Sequence, residues 1–294
     1  LRILFSCPLS AALEAHACPC DLAAVEETAA LVKQALTFFP RVLGRSLVVV
    51  LRGAGALALV ATRTALHLPR LDRRELTRAL VHFGFRSLPL ALGVAALTGA
   101  IVILQAGAYA ERFGLRQYSG WAGGYSVLWE LGPLLLGLMM AARIGARNAA
   151  ELALLKVNGQ IEGLRGISLD PFTLIVAPRV VATTISVAAL STLTFLFAVI
   201  WESIAAFFTM RLPIRVFFSA FADMLWWGDF LGGGIKALIF GLAISLVSTA
   251  VGLSASGGAR GVGRAAATAV VLSCFTIFAL DFFITPPLAR LLSS

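Results

Sequence analysis

Charge is what this chain has least of. Of its 294 residues, 13% are Asp, Glu, Lys or Arg and 59% are hydrophobic, where a soluble domain carries roughly 25% charged residues. With a mean hydropathy of +0.91, the chain has too little polar surface to coat a water-facing globule. Histidine is scarce as well: there are three, His16, His67 and His82, and no His-Glu-x-x-His, which excludes the usual zinc-hydrolase motif. No Gly-x-x-x-x-Gly-Lys-[Ser/Thr] occurs, so the chain has no P-loop to cradle ATP phosphates. GGGIK at 232–236 fails that spacing and falls inside an apolar run. The four cysteines, Cys7, Cys18, Cys20 and Cys274, make no disulfide framework. Cys18-Pro-Cys20 lacks a second ligand pair at metal-binding spacing. No nucleophile–base–carboxylate set is visible, so the expectation is a non-enzyme with no cofactor and no metal. The net charge of +9 is a weak pointer to nucleic acid in so apolar a chain, because Lys and Arg in a membrane protein mostly mark cytoplasmic loops.

Long apolar runs are what is present. A bilayer core needs about 20 residues of helix, and runs of that kind cover about 88–108, 122–142, 180–200, 231–253 and 266–285. Residues 170–179, with Pro178-Arg179, read as a turn leading into the third. The run 46–66 carries Arg52 and Arg63. An arginine at mid-span costs about 2.5–3.5 kcal/mol, so this segment reads as a helix lying in the interface, with a sixth span as the alternative. Lys and Arg number eighteen in 1–87, 143–179 and 254–265, against five on the other side. That puts the N-terminus in the cytoplasm and the C-terminus outside. Trp201, Trp226 and Trp227 in the outside segment 201–230 fit an interfacial belt. Residues 20–38 have helix spacing with Asp21 as a cap, and 1–41 as a whole is a poorly defined N-terminal segment.

Three ionisable residues fall inside spans: Glu130, Lys236 and Asp281. Such groups pair with one another or face a polar cavity. From the residues alone a structural ion pair and a wet or headgroup-lined cavity both stand. Glu130 sits in SVLWELGPLLLG (126–137), where Gly132-Pro133 break the helix and free backbone groups that need a polar partner. Between the second and third spans, Leu154, Val157, Ile161 and Leu164 recur at helical steps, with Glu151, Lys156, Gln160, Glu162 and Arg165 on the other faces, and Asp170-Pro171 ends the run. This amphipathic helix, about 151–166, either rests on lipid or docks a cytoplasmic partner. GGARGVGR (257–264) reads as a tight basic turn.

The segments RSLPLAL (86–92), LWELGPLLLGLMMAARIGARNAAELALLKVNGQIEGL (128–164), DPFTLIVAPRVVA (170–182), GIKALIFGL (234–242), GGARGVGRAAATAVV (257–271) and LDFFIT (280–285) together resemble the MlaE family of ABC-transporter permeases, the membrane subunits of MCE-type lipid transport systems. The resemblance covers 42–288, with residues 1–41 a remnant of a STAS-like region. It implies an all-α integral membrane fold, with an interfacial helix and five spans, in a homodimer of the bacterial inner membrane. It implies a separate cytoplasmic ATPase that uses the ATP, a periplasmic MCE-domain carrier and a STAS-domain protein as partners. The implied cargo is phospholipid, with sterol-like substrates or a scaffold role for an MCE ring as alternatives. Carried over by position, Glu130, Lys236 and Asp281 would line a lipid cavity, with Trp129 where many members have arginine. Leu97, Ile101, Leu134 and Leu138, chosen by helix spacing, would face acyl chains. The helix at 151–166 would be the coupling helix, with Arg143, Glu151, Leu154, Lys156, Val157, Gln160 and Leu164 as candidates for contact with the ATPase. Gly159-Gln160 stands where the family has Glu-Gln, Ala259 replaces a common glutamate, and Ala269 a frequent arginine.

Overall fold

The computed structural model describes Gly55, residues 57–66 and residues 73–292. The expectations for residues 1–41, including the Asp21-capped helix and the first three cysteines, and for 46–54 with Arg52, lie outside the described residues. Every regular element among the described residues is helical. A short apolar helix, α1 (Leu57–Leu66), falls within the segment 46–66 expected to lie in the interface. Five helical stretches are long and apolar enough to cross a bilayer: Arg73–Arg112, Arg116–Val157, Phe172–Met210, Trp227–Ser254 and Gly258–Leu292. The five expected spans fall inside them.

The first stretch joins amphipathic α2 (Arg73–Phe83) to α3 (Leu88–Arg112) through one tight turn. The second is built of α4 (Ser119–Ser126), α5 (Gly132–Met140) and α6 (Ala146–Val157), separated by two wide π-helical turns, Val127–Leu131 and Ala141–Gly145. A short α7 (Gln160–Gly166) follows. The third stretch begins with a π-turn, Phe172–Val176, and continues as α8 (Ala177–Met210). Then come α9 (Ile214–Met224), α10 (Trp227–Ser254) and α11 (Gly258–Leu292).

Two π-turns end two residues before a proline, just ahead of Gly132-Pro133 and Ala177-Pro178. The cause is local. Proline has no N–H to return to the carbonyl four residues back, so the chain widens by one residue there: the N–H of Gly132 reaches the carbonyl of Val127 and that of Ala177 reaches Phe172. Residues 170–179 are therefore not a separate turn before the third span. From Phe172 onward they are its first turns, the π-turn included, and the helix is longer than the apolar run at both ends.

α8 packs along α3 and α10, and α10 along α11. One buried cluster centres on Leu136, Met140, Ile144, Phe240, Ile244 and Ile277. A second, nearer the other end, centres on Ile103, Val127, Leu128, Phe195 and Phe217. Lipid tails are as apolar as these side chains, so burial alone does not drive helices together in a bilayer. Close packing and polar contacts between spans decide the arrangement.

The expected single helix over 151–166 is corrected. α6 stops at Val157, and Gly159 takes a left-handed conformation, φ 70°. Glycine adopts that conformation without steric cost, and the stripe Leu154–Val157–Ile161–Leu164 is broken between its second and third members. Ile161 is buried while Leu154 is exposed, so the four do not share one face.

Candidate functional site

The three ionisable residues of the spans meet. Lys236 on α10 is fully buried. Its Nζ donates to Glu130 Oε2 at 2.8 Å and to the main-chain oxygen of Trp129 at 2.9 Å, and forms an ion pair with Asp281 Oδ1 at 3.0 Å. An ammonium has three protons to give, and here it faces two carboxylates and a carbonyl. The carbonyl partner follows from the sequence. Trp129 is four residues before Pro133, so its carbonyl has lost its helical donor, and Lys236 replaces it. Gly233, one turn before Lys236, lets α10 come this close: a Cβ there would stand 2.6 Å from the carbonyl oxygen of Leu128. The cluster thus ties the second, fourth and fifth spans together.

The members are unequal in exposure. The Lys236 side chain is 0% exposed, Asp281 11% and Glu130 44%. Glu130 is the face that the cluster presents outward. Trp129 is buried and donates from Nε1 to Asp229 Oδ1 at 2.6 Å. Asp229 also caps α10, accepting from the main-chain N–H of Trp226 at 3.0 Å. Next to the π-turn lies a mainly apolar groove of about 350 Å³, lined by Val127, Leu128, Pro133, Phe195, Trp227 and Phe230 among others.

The acyl-facing candidates are spread over two environments. Leu97 and Ile101 are exposed on α3, whereas Leu134 and Leu138 are partly buried against the cluster of Phe240 and Ile277. None of the four lines the groove.

A second polar network lies at the opposite end of the bundle. Glu151 accepts from Arg147 Nε and Arg179 Nη1, both at 2.9 Å. Buried Asn148 donates from Nδ2 to Ser248 Oγ at 2.8 Å and accepts from Arg179 Nη1 at 3.4 Å. Lys156 donates to the main-chain oxygen of Leu253, near the end of α10. Arg143 donates to the main-chain oxygen of Arg86 at 2.6 Å. Of the ATPase-contact candidates, Arg143, Glu151 and Lys156 are thus engaged within the chain. Leu154 and Gln160 are exposed, and Val157 and Leu164 half-buried. Ile167 and Leu169, just beyond α7, add exposed apolar surface.

Sequence reasoning passed over Glu202. The apolar run ends at 200, but α8 continues through ESIAAFF to Met210. Glu202 is fully buried, both its carboxyl oxygens lack a hydrogen-bond partner, and Gly123 of α4 lies against it. Burying an unsatisfied polar group costs about 1–3 kcal/mol by mutational measures. Glu202→Met, of similar length, is therefore expected to raise the melting temperature of the purified protein. A fall would mean that the carboxyl is satisfied by something it holds. Among the described residues no group of His, Cys, Asp or Glu is arranged to hold a metal.

Five apolar spans with an ion cluster buried among them define a multi-pass membrane protein. The family model of the MlaE permease matches residues 76–286, and the chain belongs to that family. A probable ABC transporter permease protein of Rickettsia typhi is 33% identical over 217 residues, covering 74% of this chain and 84% of its own. One of Synechocystis is 27% identical over 216 residues, covering 74% and 82%. The chloroplastic protein trigalactosyldiacylglycerol 1 of Arabidopsis thaliana is 29% identical over 204 residues, covering 68% and 58%. The chain is an ABC-type membrane permease.

Proposed function

We propose that this permease moves lipid, phospholipid in the first instance, between the bacterial inner membrane and a periplasmic MCE-domain carrier. Two copies of the chain work with a separate cytoplasmic ATPase, which hydrolyses the ATP, and with a STAS-domain protein. The N-terminus is cytoplasmic and the C-terminus periplasmic, in line with the distribution of Lys and Arg. The observation that carries the reading is the Glu130–Lys236–Asp281 cluster. A buried ammonium shared by two carboxyl groups is costly to build inside a membrane, and its one open member, Glu130, gives an amphiphile a polar anchor. The groove at the same π-turn, lined by its neighbours Leu128, Gly132 and Gly233, offers the apolar surface an acyl chain needs. Family membership supports the partners, and the lipid named in the Arabidopsis relative supports the cargo class.

At the other end, Leu154, Gln160, Leu164 and the Ile167–Leu169 segment form the surface offered to the ATPase. Glu151, Lys156 and Arg143 act behind it by holding α6 to α8, α10 and the first span. Val157 supports the joint at Gly159.

Native purification in mild detergent, with mass spectrometry of what accompanies the chain, tests the proposal. The expected result is an ATPase, an MCE-domain protein and stoichiometric phospholipid. A chain that carries the MCE protein but neither ATPase nor lipid would instead be a membrane anchor.

A further inference from the structure

Three cations converge on a cavity that neither the ion cluster nor the groove uses. The cavity, about 290 Å³, lies between α1, the α6–α7 joint, the π-turn that opens the third span and the end of α10. Arg63 of α1, Lys156 of α6 and Arg165 of α7 line it, with one acid, Glu162. The Arg63 guanidinium stands 5.0 Å from the centroid of the Phe172 ring. Stacking engages its face and leaves its N–H edge free to donate. Arg63 and Arg165 form no ion pair with any carboxylate among the described residues. Lys156 spends one proton on the carbonyl of Leu253 and keeps two. The floor is apolar, made by Leu152, Ile161, Phe172, Ile175 and Val176.

We propose that this cavity binds the phosphate of an anionic phospholipid headgroup. Two guanidinium groups and an ammonium suit a phosphate's spread of acceptor oxygens, and basic pockets between helices on the positively charged side of a membrane protein take anionic headgroups. The apolar floor matches the glycerol and first methylenes of a lipid, which a free phosphate does not have. Glu162 lowers the net charge of the lining from three to two and leaves it cationic. The site is distinct from the proposed cargo site: Leu253 lies about 25 Å along α10 from Lys236, at 1.5 Å per residue. A bound headgroup would bridge α1, α6 and α7 across the left-handed joint at Gly159 and hold the helices of the proposed ATPase-facing surface in one arrangement.

The test uses the purified full chain in zwitterionic detergent, titrated with phosphatidylglycerol, phosphatidylcholine or inorganic phosphate. Bound lipid is read by native mass spectrometry and stability by thermal melting. Phosphatidylglycerol is expected to be retained and to raise the melting temperature, with phosphatidylcholine weaker by roughly tenfold or more in apparent affinity. The double variant Arg63→Gln/Arg165→Gln should lose that preference and Arg63→Lys/Arg165→Lys should recover part of it. Both positions are exposed, so neither variant empties a packed core. Equal binding of the two lipids by the wild type, or an unchanged preference in the Gln variant, overturns the proposal. Stabilisation by inorganic phosphate, with no preference between lipids, overturns the lipid assignment in favour of a soluble phosphate. Lipid transfer through the Lys236 region is measured separately, so failure here leaves the cargo reading untouched.

Discussion

Lys236→Ala is expected to abolish lipid transfer in reconstituted vesicles and to lower the melting temperature of the purified chain. The substitution removes one ammonium and strands three acceptors: Glu130, Asp281 and the carbonyl of Trp129. Breaking a buried ion pair from one side typically costs about 3–5 kcal/mol. Glu130, 44% exposed, is the member of the cluster least confined by packing. Lost stability alone would not show a functional role. The triple variant Lys236→Met/Glu130→Gln/Asp281→Asn separates the two, because replacing a whole buried ion pair with neutral groups is often nearly neutral for stability. It should recover most of the melting temperature and still fail to transfer lipid. Wild-type transfer by the triple variant would reduce the cluster to a structural tie between spans.

Glu151→Ala is expected to uncouple the permease from its ATPase. The carboxylate holds Arg147 on its own helix and Arg179 at the start of α8. Arg179 in turn reaches Asn148, which is bonded to Ser248 on α10. One acid therefore sets α6 against the ends of two spans. Glu151 is a third exposed, so solvent screening holds the cost to about 1–2 kcal/mol. An equilibrium shifted by that amount changes roughly 5- to 30-fold, and permease-dependent ATP hydrolysis should fall to a similar degree with the fold intact. Glu151→Gln, which keeps one acceptor and one polar shape, should fall less. Unchanged hydrolysis in Glu151→Ala, with the complex assembled, would remove this network from the coupling route.

Much of the architecture was legible in the residues. Apolar runs of about 20 residues located five spans, because a bilayer imposes length and composition directly on each segment. Their ends were not legible: α8 runs ten residues past its apolar core and takes Glu202 with it. Hydropathy averages over a window and does not register a helix that continues through a polar residue. The joint at Gly159 was visible as a glycine in a helical pattern, but the left-handed turn it makes there depends on how α7 is held against the neighbouring segments.

The sequence by itself singled out Glu130, Lys236 and Asp281, since a charge inside an apolar run is costly wherever the run packs. It also placed Pro133 where a backbone acceptor must be left open, because proline lacks an N–H. Only the tertiary structure decided that these demands answer one another: Lys236, more than a hundred residues along the chain, donates to Glu130 and to the carbonyl that Pro133 leaves without its helical donor, and pairs with Asp281 of the next span. The physical reason is that cost is local and partnership is not. Hydrophobicity and backbone chemistry are written residue by residue, while the partner that offsets a buried charge is chosen by which helices come within 3 Å, and that is settled by packing.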